Sequence, residues 1–194
     1  MVSSFKFDPE FEYKGTSEPK HSGSSEAGIV VGLGSQRGSL SSADVDTIAA
    51  LMATPDRWNR AAAPLVRDYL DPNVPRDRWV VEAAPYIGEL RAAHVEMQTC
   101  ALAIQDPGIR ATSTEIAANY RAKLDWITRL HNAVAHGDAT AEQQATAGLS
   151  EAAAEGQVLA IALLDKVRPY VDPQVLSEKA RKQGKEIGEL MKPK

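Results

Sequence analysis

The chain contains a single cysteine, Cys100, among its 194 residues, and aromatic residues make up only 6% of it. One cysteine cannot form an intramolecular disulfide, so the sequence favours a reducing compartment. No apolar run approaches the ~18–20 residues of a membrane span, and the N-terminus lacks the basic and hydrophobic segments of a secretory signal. These absences predict a cytoplasmic protein without a membrane partner.

Charge of one sign is not in large excess either. The formal net charge of −4 gives no global electrostatic reason to expect strong nucleic-acid affinity, although it is compatible with a local basic surface. Hydrophobic residues at 43% and charged residues at 25% are typical of a globular protein. The length is sufficient for one core-forming domain with an appendage.

Residues 1–40 are predicted to be a flexible N-terminal arm or linker, because they carry serine and glycine clusters and no helical periodicity. All three phenylalanines lie here, and with one tyrosine they are the candidate partner-binding residues: Phe5, Phe7, Phe11 and Tyr13. Their alternation suits an extended segment that docks on a protein partner or a neighbouring subunit. An arm that folds back over its own domain would fit the pattern equally well.

The segment from Gly28 to Ser35 superficially resembles a strand that enters a dinucleotide-binding glycine loop. Such a loop needs further parallel strands and an acidic residue after the second one. Nothing downstream supplies these elements. A flexible linker is therefore the better interpretation, and no cofactor is predicted.

Helix signals begin after this arm. Ser41 or Ser42 can cap a first helix, and Thr54-Pro55 predicts a second helix start, because a polar cap is followed there by proline in the first turn. Pro85 is expected to kink or divide the next helix.

The second half of the chain carries further start and stop signals. The sequence at 106–108 is expected to end a helix, a capping box at Thr112–Glu115 to open a long one, and Gly137 to stop it. The next helix is predicted to bury Leu149, Ala153, Gly156, Ala160, Leu163 and Val167. Together these signals predict an all-α, antiparallel four-helix-type bundle with extra short helices over residues 41–171, followed by a charged C-terminal helix at 172–194.

Four histidines raise the question of a metal site. His131 and His136 are five residues apart and therefore lie about 140° apart around a helix. A zinc-binding helix would need an i, i+4 pair with an acidic partner. His94 and His131 fall in the apolar stripes of their helices and could meet in the interior, where a hydrogen-bonded imidazole is commoner than a metal ligand. No metal site is predicted.

The most informative stretch is the end of the long helix. At about 100° per residue its apolar side chains share one face, and a polar ridge lies opposite. The ridge consists of Asp125, Arg129, Asn132 and His136. A histidine can act as a general acid or base near neutral pH, an arginine can hold a phosphate, and an asparagine can orient either group.

Metal-free RNA cleavage needs such a set, because one group must handle the 2′-hydroxyl proton and a cation must stabilise the phosphorane charge. His136, Arg129 and Asn132 are therefore the candidate catalytic residues. The alternative is that the ridge is only the solvated face of a surface helix, with Asp125 and Arg129 as an ordinary i, i+4 ion pair.

The segment from Asn132 to Gly137, which closes a helix in a small bundle, resembles the HEPN superfamily. The signature of that family is an arginine, usually followed by asparagine or another polar residue, and then a histidine four to six residues further on. Arg129 satisfies the widest spacing, and the arginine of the family usually stands where His131 stands here. The resemblance implies a dimerising bundle with metal-independent endoribonuclease activity in toxin, defence or RNA-processing systems, or an inactive binding module.

Two functions are therefore expected. One is a non-enzymatic helical adaptor or assembly protein that binds a protein partner or neighbouring subunit through the aromatic arm. The other is a HEPN-like, metal-independent endoribonuclease or RNA-binding protein with its site at His136, Arg129 and Asn132.

Overall fold

The protein is described here by a computed structural model that covers residues 40–190, with side chains described up to residue 184. These residues form five helices and no strand, which confirms the predicted all-α bundle. The helices are α1 (Ser42–Leu70), α2 (Arg76–Ala103), α3 (Pro107–His136), α4 (Ala139–Val167) and α5 (Pro173–Leu190). The proposed docking residues Phe5, Phe7, Phe11 and Tyr13 lie outside the described residues, as does the glycine-rich segment at 28–35.

The first four helices are joined by short connections and pack side by side in chain order, so that neighbours run antiparallel. The last helix, α5, returns to α1 and buries Leu176 and Ala180 there. The core has two halves. The aliphatic half contains Ile48, Leu51, Met97, Ile104, Ile109, Ile116, Leu163 and Val167, and the aromatic half contains Trp58, Leu65, Trp79, Leu90, Leu124, Ile127, Leu130 and Val134.

The first two helices are longer than the sequence signals predict. Ser41 caps α1 as expected, since its Oγ accepts the Asp44 N–H at 3.0 Å. The second start predicted at Thr54-Pro55 is wrong, because α1 continues through it. The Thr54 hydroxyl donates backward to the Ala50 carbonyl at 3.0 Å and so does not cap a new helix. Likewise α2 continues through Pro85, so this proline does not divide the helix.

The start of α3 also differs from the prediction. The helix begins at Pro107, where the Asp106 carboxylate accepts the Ile109 N–H at 2.8 Å, and the supposed capping box lies inside it. Thr112 and Ser113 are buried there against neighbouring helices. Residues 106–108 therefore follow the end of α2 and also form the start of α3.

The buried face of α4 is rotated relative to the predicted one. Leu163 and Val167 are buried as expected, but Ala153 and Ala160 are exposed, and Ala145, Gly148 and Ala152 occupy the interior instead. Among the described helices, α4 alone is long and apolar enough to cross a membrane by length and composition, with a window of mean hydropathy 1.3. Only 17% of that window is buried, so α4 presents apolar surface outward.

Candidate functional site

The end of α3 is fixed by a glycine. Gly137 adopts φ 67° and ψ 26°, a left-handed conformation that favours glycine. The Asp138 N–H donates to the Ala133 carbonyl at 2.9 Å and the Gly137 N–H to the Val134 carbonyl at 3.2 Å. These two bonds form a Schellman motif, which confirms the stop predicted at Gly137. His136 is therefore the last residue of α3, and it is exposed.

The imidazole of His136 is held by the backbone of its own helix. Its Nδ1 lies 2.7 Å from the carbonyl oxygen of Asn132. A carbonyl can only accept a hydrogen bond, so Nδ1 carries the proton in this arrangement. The neutral ring then has its lone pair on Nε2, which is the form that a general base requires.

Arg129 lies two turns before His136 and stacks on an aromatic ring. Its Cζ is 4.6 Å from the ring centroid of Trp126, and its guanidinium has no carboxylate within 4.0 Å in residues 40–184. The expected pair between Asp125 and Arg129 is wrong, because Asp125 pairs with Arg121 at 3.1 Å. Arg129 is thus a solvent-accessible cation on an aromatic support.

The indole of Trp126 rests on the backbone of α4. A Cβ built on Gly148 would lie 2.6 Å from Cζ2 of that ring, much closer than carbon atoms approach. Gly148 therefore leaves the space into which Trp126 fits. The ring in turn sets the position of the Arg129 side chain above it.

All three predicted catalytic residues, His136, Asn132 and Arg129, line one open cleft of about 330 Å³ between the end of α3 and the start of α4. The other lining residues are Trp126, Ala133, Asp138, Ala141 and Gln144. Sequence reasoning missed them. Trp126 is one turn before Arg129 and was within reach of an i, i+3 argument, whereas Gln144 comes from the next helix and its approach depends on how α4 packs.

The first turn of α4 forms one wall of this cleft. The Asp138 carboxylate caps it by accepting the Ala141 N–H at 3.0 Å. Glu142 is also engaged, because the Tyr69 hydroxyl donates to its Oε1 at 2.5 Å and Arg76 approaches the same oxygen at 3.5 Å. Burial, followed by the bond to Glu142, raises the pKa of Tyr69 to about 12, so this link between α1 and α4 persists through neutral pH.

The remaining described histidines lie apart from this cleft and from each other. His131 donates its Nε2–H to the Val80 carbonyl at 2.9 Å. His94 is fourteen residues further along α2 than Val80, about 21 Å at 1.5 Å per residue, so the predicted meeting of His94 and His131 is wrong. Within residues 40–184, no three His, Cys, Asp or Glu side chains are grouped as a metal ion would require.

The sequence matches no family model, and no curated protein or solved structure is significantly similar to it. The function of the cleft must therefore be argued from its own chemistry.

Proposed function

We propose that this protein binds RNA at the cleft between α3 and α4 and cleaves it without a metal ion, as the HEPN resemblance implies. The observation that carries the proposal is the convergence of His136, Asn132 and Arg129 on one cleft, with the imidazole of His136 anchored through Nδ1. The anchored ring has a single nitrogen, Nε2, with which to exchange protons.

In the proposed reaction His136 Nε2 removes the proton from a ribose 2′-hydroxyl. The 2′-oxygen attacks the adjacent phosphorus, the bond from phosphorus to the 5′-oxygen breaks, and that oxygen takes up a proton from the imidazolium. The products are a 2′,3′-cyclic phosphate and a 5′-hydroxyl end. General acid–base catalysis of this kind contributes about 10²–10⁴-fold to a rate.

We assign Arg129 to a contact with RNA outside the reacting phosphate. Arg129 and His136 are about 10 Å apart along the helix axis, and both side chains lean toward the N-terminus, so the separation is kept. We therefore assign the Arg129 guanidinium to a flanking phosphate or base, a contact that arginine makes through paired hydrogen bonds or stacking. The Asp138 carboxylate already occupies the first turn of α4, so Arg129 is the arginine or lysine among the lining residues that supplies positive charge for phosphate.

The test uses the full chain, a labelled single-stranded RNA and EDTA in the buffer. We expect the parent protein to cleave, and His136→Ala to reduce the rate by about 10²-fold or more. Gln143→Ala removes an exposed polar side chain of α4 outside the cleft and should cleave normally. An inactive parent protein, or full cleavage by His136→Ala with unchanged circular dichroism, would contradict the proposal.

A second candidate function, assembly with a neighbouring subunit, is favoured by the outward face of α4. Val158 is 66% exposed, Ile161 60% and Leu164 37%, opposite the face that packs on α3. A seven-residue spacing, which is typical of a helix–helix interface, relates Ala147, Ala154 and Ile161. Val158 lies between the last two. A second copy of α4 offers the matching surface. The aromatic arm at Phe5, Phe7, Phe11 and Tyr13 remains a predicted further contact.

Light scattering after size exclusion tests this candidate. We expect the parent chain to dimerise and the double variant Val158→Glu/Ile161→Glu to be monomeric, because four like charges would face one another in the seam. Gln174→Glu adds a charge at an exposed position on α5, away from this face of α4, and serves as the control for an added charge. Deletion of residues 1–40 measures the part played by the arm. A monomeric parent protein would refute assembly through α4.

A further inference from the structure

The cleft at His136 offers little positive charge to a phosphate chain. Among the described residues that line it, Arg129 is the one arginine or lysine, and the Asp138 carboxylate lines the same cleft. The chain as a whole has a formal net charge of −4. Attraction between basic side chains and phosphates supplies most of the sequence-independent affinity of proteins for nucleic acids. RNA held at this cleft therefore needs a second source of affinity.

The rest of the lining includes apolar and aromatic surface. Trp126 is half-buried there, and Ala133 and Ala141 contribute small side chains from α3 and α4. The cleft has a volume of about 330 Å³, at the lower end of the range for small-ligand sites, about 300–1,000 Å³. It is therefore of a size for one nucleobase and its sugar, whereas a double helix is too wide to enter it.

The guanidinium of Arg129 lies over an aromatic ring. Its Cζ is 4.6 Å from the centroid of the Trp126 ring, so the indole covers one side of this planar group. Arg129 is exposed and lines the cleft, which leaves the other side of the guanidinium open. Guanidinium planes and aromatic rings are the surfaces on which proteins stack unpaired bases. Here the two surfaces are layered in one place.

The support beneath Arg129 is part of the folded core between α3 and α4. The Trp126 ring fits into the space that Gly148 leaves, and an added Cβ there would lie 2.6 Å from Cζ2 of the ring. A surface that exists before a ligand arrives costs less ordering on binding than one that must form around it. Stacking on Arg129 therefore requires little rearrangement of the fold.

We propose that Arg129, supported by Trp126, is the stacking surface for an unpaired nucleobase that flanks the cleaved bond. This inference rests on the proposed function, RNA binding at the same cleft, and it narrows the contact of Arg129 from a phosphate or a base to a base. Bases in a double helix are stacked on their neighbours already. The substrate class is therefore single-stranded RNA.

The test compares two labelled single-stranded octamers that cannot be cleaved, because both lack the 2′-hydroxyl. One is the 2′-deoxyadenosine octamer, and the other has the same number of phosphates on an abasic sugar chain. Fluorescence anisotropy with the full chain should show at least about fivefold tighter binding of the octamer with bases, as expected for one stacked base. Equal affinity for the two octamers, or no binding of either, would overturn the proposal.

A charge-conserving variant separates stacking from attraction of phosphate. Arg129→Lys keeps the positive charge and removes the plane, so it should bind the deoxyadenosine octamer at least about fivefold more weakly and the abasic octamer as the parent does. Arg121→Lys makes the same exchange at an exposed position of α3 outside the cleft and should bind like the parent. Circular dichroism checks that both are folded. An equal loss for both octamers, or no loss, in Arg129→Lys would refute the stacking surface.

These measurements also separate the stacking surface from the proposed reaction, because binding of the octamers involves no chemical step. Base-dependent binding that Arg129→Lys weakens, without cleavage of RNA by the parent protein, would support the stacking surface and contradict the reaction. Cleavage of RNA by the parent protein, together with equal binding of the two octamers, would refute the stacking surface and leave the reaction standing.

Discussion

The interface between α3 and α4 contains two close contacts of opposite character. At one, the indole of Trp126 lies flat on Gly148, next to the cleft at His136. At the other, two turns further along α4, Gly156 faces the ends of two polar side chains, Lys123 and Asn119. Glycine permits close approach at both places, but the groups that approach differ in how freely they can move.

The difference lies in the stiffness of the partner. The indole is a rigid ring that lies between the backbone of α4 and the Arg129 guanidinium, whereas a lysine ammonium sits at the end of four flexible methylene groups. The contact at Gly148 should therefore tolerate no added atom. The contact at Gly156 should adjust to one. Four predictions test this contrast. The largest expected effect comes first and is paired with its control, and the other two follow in decreasing order.

Gly148→Ala should destabilise the fold most. The added methyl group would overlap the Trp126 ring, and overpacking of this kind costs about 1–3 kcal/mol. The higher helix propensity of alanine offsets about 1 kcal/mol of this destabilisation. Urea unfolding followed by circular dichroism should show a net loss of up to about 2 kcal/mol in the free energy of unfolding, and displacement of Trp126 should also weaken RNA binding.

Gly156→Ala is the matched control on the same helix. Its methyl group would meet the Lys123 ammonium at 2.6 Å and the Asn119 Oδ1 at 2.8 Å. The lysine can swing away, whereas the Asn119 amide is held through its Nδ2 and must shift slightly. The same gain in helix propensity offsets part of the cost, so the loss of stability should be about 1 kcal/mol or less and smaller than that of Gly148→Ala. Equal losses in the two variants would show that the indole is no more rigidly seated than the lysine.

Asn119→Ala tests the polar contact directly. Asn119 is buried, and its Nδ2 donates to the Ala152 carbonyl and to Glu155, both at 2.9 Å. Loss of these bonds should lower the free energy of unfolding by about 1–2 kcal/mol. Asn132→Ala, on an exposed turn of the same helix, should change it by less than about 0.5 kcal/mol. A loss no larger than that of the control would mean that Asn119 does not hold α3 and α4 together.

The same contacts explain why the sequence predicted the presence of α4 but not its orientation. Both Ala152 and Ala153 are small and apolar, and they lie about 100° apart around the helix. Ala152 is the one buried, because the face that carries Gly148 and Gly156 accommodates the large side chains of α3. That requirement comes from another helix, and no pattern within α4 contains it.

The helix starts show the same limit of local sequence patterns. A polar residue followed by proline occurs at Thr54-Pro55 and at Asp106-Pro107. The sequence predicted a helix start at the first and only a helix end at the second. Only Asp106 acts as a cap, since the Thr54 hydroxyl turns back to the preceding turn. Buried side chains continue on both sides of Pro55, so tertiary packing keeps α1 in one piece.

The candidate site was predictable to the extent that it belongs to one regular helix. The spacing of Arg129, Asn132 and His136 places them on one side of α3 by helical geometry alone, and the structure brings all three to one cleft. Two features of the site could not be predicted from the geometry of one helix. The stacking of Arg129 on Trp126 replaces an expected ion pair, and Gln144 reaches the cleft only because of how α4 packs.

The smallest predicted effect concerns the charge at the polar contact. Burial lowers the pKa of Lys123 below its ordinary value of 10.5, and Glu155 only partly opposes it. At neutral pH the Lys123 ammonium therefore stays charged, and its burial lowers the free energy of unfolding. Lys123→Met retains the apolar stem and removes the charge, so it should leave stability unchanged or raise it by less than about 1 kcal/mol.

The decisive measurement is the pH dependence of the difference in stability between the parent protein and Lys123→Met. Between the lowered pKa of Lys123 in the folded protein and 10.5 in the unfolded chain, the unfolded state binds more protons. The stability of the parent protein relative to Lys123→Met should therefore rise as pH increases through that window. Tyr69, whose pKa burial raises to about 12, titrates alike in both proteins and cancels in the difference. The ring of Tyr120 lies 4.2 Å under the Lys123 ammonium, so the comparison is made below about pH 10, where tyrosine is largely neutral in the unfolded chain as well. A difference that stays constant from neutral to alkaline pH would mean that the ammonium is as well solvated in the fold as in the unfolded chain. The polar contact would then differ from the aromatic one by more than flexibility, because solvent would also reach its charged group.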